Sequence, residues 1–169
     1  TRGRLLDRLA PPTRAHLLGV DELGRDVLSR VVAGARVSLA IQATAVGIAL
    51  AAGLSLGVLA GYYGRWTDEA ISRGIDLLLA FPGIFLAIAI VAVLGPGLVS
   101  VMVAAGVVSV PQFARLVRGV VLELRQREFV EAGIALGARD RRILMRHILP
   151  NSMPPVIVQT SLRMATVLL

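Results

Sequence analysis

Asp21, Arg25 and Asp26 place two carboxylates and a guanidinium within one short stretch, a grouping that could move a proton or hold an ion. The simpler reading is that they cap and pin a surface turn. His16 and His147 are too few and too far apart to suggest a metal site, and His147 reads as a polar residue at a helix end. Glu131 could act as a general base, but no nucleophile or second acid stands near it in a matching pattern. There is no cysteine, which excludes disulfides, thiolate metal sites and cysteine nucleophiles within these 169 residues. The 18 basic residues are all arginine. Without a lysine there is no Gly-x-x-x-x-Gly-Lys-Ser/Thr loop to cradle a nucleotide phosphate. No catalytic residue, cofactor site or metal site is therefore expected.

The elements that must carry these residues are set by hydropathy. The chain is 56% hydrophobic with a mean hydropathy of +0.76, above the ~45–50% apolar content of soluble domains. Residues 37–64 and 77–114 carry no charge. A membrane-crossing helix needs roughly 20 apolar residues. The first run therefore holds one span, at 37–59, and the second holds two, at 77–94 and 98–113. Gly95-Pro96-Gly97 makes the turn between them, Phe81-Pro82-Gly83 predicts a kink early in the second span, and Pro111 lies near the end of the third. Gly47, Gly53 and Gly57 allow close helix packing in the first span, which ends in the interfacial Tyr62, Tyr63 and Trp66. A further apolar stretch, 148–169, opens with Pro150, Pro154 and Pro155 and contains one charge, Arg163, a candidate for lining a path. The expected fold is an all-α, polytopic transmembrane bundle. Residues 1–36 form an extracytoplasmic or interfacial lead-in, with Asp26 capping a short interfacial helix to about residue 36. Residues 37–169 form the transmembrane domain. Residues are expected to be missing at both ends.

Residues 115–147 hold eight arginines and four acids. The net charge of +7 is read as arginine on the cytoplasmic face of a membrane protein, not as a nucleic-acid footprint. On that rule 115–147 is a cytoplasmic loop and shares its side with 65–76. The lead-in then lies outside, although its own arginine excess argues the other way. Arg115 and Arg118 could touch a partner, or snorkel at the end of the third span. Within the loop, Phe129, Ala132, Gly133 and Leu136 recur at helical spacing, with Glu128, Glu131 and Ala135 on another face. Gly137 can end that helix and Asp140 can cap the next, whose Ile143, Leu144, His147 and Ile148 share a face. Two short helices with a glycine bend make a docking surface for a partner.

Glu131-Ala132-Gly133, Gly137 and Leu149-Pro150 resemble, in order and spacing, the "EAA" loop of ATP-binding-cassette importer permeases. Gly133 stands where the pattern has a second Ala, and His147 where many members have an apolar residue. The run from His147 to Asn151, and Ala80-Phe81-Pro82-Gly83, resemble the oligopeptide and dipeptide branch. So does the lead-in, with Gly19, Asp21, Gly24, Arg25, Asp26 and Arg30 in place and Val20 where Thr is usual. The resemblance implies a type I importer permease of about six spans, here lacking the first and the last. It implies a subunit that does no chemistry. It pairs with a second permease subunit, docks ATPase subunits through Glu128, Glu131, Ala132, Gly133, Gly137, Leu149 and Pro150, and receives peptides or similar small solutes from an extracytoplasmic binding protein. The setting would be a bacterial or archaeal cytoplasmic membrane. An ion-coupled secondary transporter and a membrane-embedded enzyme are the alternatives. Both need ionisable groups within the spans, and the three full spans are essentially empty of them.

Overall fold

The computed structural model describes residues 8–166, with the side chains of 165 and 166 left aside. Among the described residues the regular elements are all helical, and one isolated antiparallel bridge joins Val20 and Asp26. The helices are α1 (Val27–Tyr63), α2 (Arg65–Ala80), α3 (Gly83–Leu94), α4 (Leu98–Arg125), α5 (Glu128–Ala135), α6 (Asp140–Ile143) and α7 (Leu149–Thr166). A π-helical turn, Leu144–Ile148, joins α6 to α7. The chain forms two compact units, Thr1–Ala40 and Ile41–Leu169, divided within α1.

The first unit is a loop followed by the opening turns of α1. The short lead-in helix and the first span expected from sequence are one uninterrupted helix of 37 residues. No proline or cap interrupts the run after Val27, so backbone hydrogen bonding simply continues.

In the second unit, α1 and α4 meet at their smallest residues. A Cβ on Gly53 would lie 2.4 Å from Phe113 Cβ, one on Gly57 2.6 Å from Val117 Cβ, and one on Gly61 2.8 Å from Val121 Cβ. The four-residue spacing keeps all three on one helix face and lets α4 approach the α1 backbone. Gly106 of α4 completes the seam against Ile48. Gly47 faces open space instead, being out of phase with the stripe. Gly61, beyond the expected span, belongs to the stripe.

The second span departs most from expectation. Residues 67–76, read as a polar connection, are helical from Arg65 onward, and the kink is a full break of 93° between α2 and α3. Pro82 has no N–H to bond back into α2, and its ring drives Phe81 into an extended conformation (φ −94°, ψ 132°). The 12 residues of α3 reach only about 18 Å, short of a hydrocarbon core of about 30 Å. Among the described residues two helices, α1 and α4, are therefore long and apolar enough to cross a membrane, giving up to three spans if the bent α2–α3 pair counts as one. The third span continues past residue 113 to Arg125, which leaves Pro111 well inside α4. The first part of the expected cytoplasmic loop is thus the end of that helix.

α7 begins at Leu149, one residue before Pro150, with no break from the preceding π turn (Leu149 φ −58°, ψ −49°). Pro150 cannot donate to a carbonyl one turn back, and the widened turn relieves its ring. The Asn151 side-chain amide donates to the His147 carbonyl at 2.6 Å, and the buried Ser152 hydroxyl donates to that of Leu149 at 2.8 Å. At the far end of α7, the Gln42 amide of α1 donates to the Met164 carbonyl at 2.7 Å.

Tyr62, Val117, Val121, Val130, Ile143, Ile148 and Val156 form one buried cluster. It draws on α1, α4, α5, α6, the π turn and α7, so the short helices after α4 are keyed to the long ones by apolar burial.

Candidate functional site

α4 stops because Gln126 and Arg127 leave helical geometry, Arg127 being extended (φ −81°, ψ 142°). α5 then starts with Glu128 and Glu131 in its first turn, where carboxylates complement the helix dipole. Val130 is fully buried and fixes the rotation of α5. Gly133 lies on the same inward side, where an added Cβ would lie 4.0 Å from Ile143. Phe129, Ala132, Ile134 and Leu136 point outward with both glutamates, and Leu136 is 88% exposed. The face grouped from sequence as Phe129, Ala132, Gly133 and Leu136 is therefore split. Its glycine looks into the core, and the other three look out.

Gly137 ends the helix in the left-handed region (φ +74°). Its N–H bonds to the Ile134 carbonyl at 2.9 Å and the next N–H, of Ala138, to that of Gly133 at 3.0 Å. That pair of bonds is the Schellman closure, which favours glycine at this position. The bend between two short helices stands as the spacing predicts. Asp140, however, is not the cap of α6. Arg139 holds that place, and no side chain caps the helix. The Asp140 carboxylate instead accepts a hydrogen bond from the Tyr62 hydroxyl at 2.9 Å. Tyr62, expected at the membrane interface, is buried within the fold, stacks edge-on to Tyr63 and carries the Arg125 guanidinium 6.0 Å from its ring centre. His147 is half-buried with its ring 6.1 Å from that of Phe129, and Leu149 and Pro150 follow on the same helical run.

Arg115 and Arg118 bind the neighbouring helix α2 rather than standing free. Arg118 makes a two-point pair with Asp68, its Nη2 2.6 Å from Oδ2, and Arg115 reaches Asp76 at 2.6 Å. The Ser72 hydroxyl adds a bond to Asp68 at 3.1 Å. These pairs strap α2 to α4. Sequence reasoning passed over Asp68 and Asp76, and missed the bond of Tyr62 to Asp140. The signal for the first two was the spacing of Asp68, Ser72 and Asp76 on one helix face, read instead as a polar connection.

In the first unit the lead-in residues build one closed turn. Gly19 and Gly24 both have positive φ (74° and 72°). The Asp21 carboxylate accepts from the backbone N–H of Leu23 at 2.8 Å and of Arg25 at 2.9 Å, and from the side chains of Arg25 at 3.1 Å and Arg30 at 2.6 Å. The Arg25 backbone N–H is the main cause that lowers its pKa to about 2, with Leu23 and the two guanidinium groups adding to it. Asp26 caps α1 through the Ser29 N–H at 2.8 Å and the Ser29 hydroxyl, and pairs with His16 Nδ1 at 3.1 Å. Those bonds, led by the Ser29 hydroxyl, hold its carboxyl below the usual range. Every carboxylate oxygen of the grouping is thus engaged in holding the turn, leaving none placed for acid–base work. Among the described residues no group of three His, Asp or Glu side chains could hold a metal ion. Arg163 is half-buried near the end of α7.

Residues 53–169 match the family described as "Binding-protein-dependent transport system inner membrane component". The chain is similar to the dipeptide transport system permease protein DppC of Alkalihalophilus pseudofirmus, 51% identical over 163 residues, which is 96% of this chain and 54% of that protein. It is also similar to the glutathione transport system permease protein GsiD of Pectobacterium atrosepticum, 50% identical over 152 residues, which is 90% of this chain and 50% of that protein. GsiD of Escherichia coli O6:K15:H31 is 50% identical over 155 residues, 92% of this chain and 51% of that protein. The chain spans about half the length of the curated relatives it matches.

Proposed function

Since the chain belongs to the binding-protein-dependent transport system inner membrane components, we propose that it is the central part of a permease subunit that imports short peptides through a cytoplasmic membrane, powered by separate ATPase subunits. The relatives carry dipeptide and glutathione in their names, and both cargoes are small peptides. A second permease subunit completes the path, and an extracytoplasmic binding protein delivers the solute. The chain itself performs no chemical step.

The observation that carries this reading is the α5–Gly137–α6 element. It exposes a slim helix face, Phe129, Ala132 and Leu136, flanked by Glu128 and Glu131. The same helix is anchored from behind by Val130 in a core shared with α1, α4 and α7. A surface docked to an ATPase must be both accessible and stiffly joined to the spans it moves, and this one is. On this reading 115–147 and 65–76 face the cytoplasm together, supported by the Asp68–Arg118 and Asp76–Arg115 pairs that hold these segments side by side. Among the described residues no clustered acids or metal-binding groups favour ion coupling or a membrane-embedded reaction.

The test is the Gly137→Val variant of the full-length permease, assembled with its ATPase and binding protein in vesicles. Valine at φ +74° is strained by about 1–2 kcal/mol and adds bulk at the bend. The variant should enter the membrane but lose substrate-stimulated ATP hydrolysis and peptide uptake, or release the ATPase. Wild-type uptake and hydrolysis with normal assembly would overturn the assignment.

A further inference from the structure

An open pocket of about 490 Å³ is lined by Arg139, Arg141, Arg142, Met145 and Arg146. Among the described residues, none of these four arginines has a carboxylate at ion-pair distance. Arg25, Arg30, Arg73, Arg115, Arg118 and Arg127 each have one. The acid nearest in sequence, Asp140, is turned away to bond the Tyr62 hydroxyl. Ile143 and Ile148 sit fully buried on the inward side of the same segment, so the four guanidinium groups and Met145, 60% exposed, share the outward side. Four positive charges within eight residues of chain repel one another unless an anion lies among them.

The Tyr62–Asp140 bond also fixes the height of this pocket. Tyr62 lies in the last turn of α1, one of the two helices among the described residues that are long and apolar enough to cross a membrane. Asp140, and with it the flanking Arg139, Arg141 and Arg142, is therefore level with the end of that span. Trp66, 85% exposed just beyond it, marks the same boundary as aromatic residues do at membrane surfaces. At that height the anions at hand are lipid phosphates. Guanidinium forks match phosphate oxygens in pairs, and an exposed methionine offers an apolar wall to the glycerol and first acyl carbons.

We propose that the pocket of Arg139, Arg141, Arg142, Met145 and Arg146 binds the phosphate headgroup of an anionic phospholipid. The site lies beside the exposed face of α5 and uses none of its outward residues. It rests on the membrane placement above and not on ATPase docking, so either can fail alone.

The test uses the full-length permease in its assembled transporter, extracted from bilayers of mixed phosphatidylglycerol and phosphatidylcholine, with retained lipids counted by native mass spectrometry. The wild type should retain phosphatidylglycerol in clear excess. Arg141→Gln/Arg142→Gln should lower that retention by roughly tenfold or more, the scale expected for two basic groups at an anionic surface. Adding Arg139→Gln and Arg146→Gln should abolish the preference. Glutamine at these exposed sites removes the charge and keeps helix propensity, and an unchanged thermal midpoint would show that the fold is intact. Equal retention of the two lipids by the wild type would overturn the site, as would undiminished retention by the fourfold variant. If the variants shed ATPase subunits while their lipid complement stays the same, the arginines serve a protein contact and the lipid proposal fails.

Discussion

Gly57 meets Val117 Cβ at 2.6 Å and the Ala114 carbonyl at 2.7 Å from where its own Cβ would stand. Backbone cannot yield there, so Gly57→Leu in the full-length permease should cost about 1–3 kcal/mol and lower the thermal midpoint in detergent. Gly47→Leu, pointing into open space, should leave the midpoint unchanged; equal losses at both sites would contradict the seam. Small residues in the first span advertised close packing, but their count did not reveal its phase. Gly53, Gly57 and Gly61 repeat every four residues, and Gly47 falls on another side of the helix. The lead-in motif was more legible, because capping by Asp26 and turn closure by Asp21 are local bonds made within a few residues. The Asp21 carboxyl, held at about 2 against an ordinary 3.8, favours the folded turn in its charged form. Its contribution is complete above the ordinary value and disappears as pH falls from about 3.8 to about 2. Amide exchange at Leu23 and Arg25, taken relative to the intrinsic rate at each pH, should be slow and constant above that window and accelerate through it. In Asp21→Asn the fast exchange should already be present near neutral pH, and slow exchange there would show that the carboxylate does not close the turn.

The charge pairs between α2 and α4 belong to the scale of elements. Arg118→Asp should separate the helices, and Asp68→Arg/Arg118→Asp should rejoin them. The coupling read from a double-mutant cycle in thermal stability should be about 0.5–1 kcal/mol, as for a partly exposed pair. A double variant no better than the worse single one would remove the strap from the account. Proline announced that the second span bends, yet the size of the bend was not legible. Pro82 removes a hydrogen bond and pushes Phe81 out of helix, but the angle is set by where α3 lies along α4. Asp140 shows the same limit. Its position before a helical pattern suggested a cap, and its true partner, Tyr62, lies 78 residues away in sequence. Gly137, by contrast, was readable because its role is settled by two bonds to the preceding turn.

At the scale of the molecule, the absence of cysteine in these residues lets an introduced thiol report its side of the membrane. In a full-length background otherwise free of cysteine, Leu136→Cys should react with a membrane-impermeant maleimide from the cytoplasmic side and lose that reactivity when the ATPase is assembled. Labelling of Leu136→Cys only from the non-cytoplasmic side would reverse the proposed orientation. Hydropathy located the apolar mass of the bundle but not its division, since one charge-free run is split between a broken helix and the front of a longer one. That longer helix, α4, has a weak point at Pro111, where a backbone hydrogen bond is missing. Gly53 presses on Val110 and Phe113 at either side of it, and the contacts of Gly57 and Gly61 continue down the rod. In mechanical terms α1 is a splint laid across the one joint at which α4 could flex. A load delivered to α5 should then travel the length of α4 with little lost to bending, and the compliance of the subunit should sit where no splint lies, at Phe81-Pro82 and at Gly95-Pro96-Gly97.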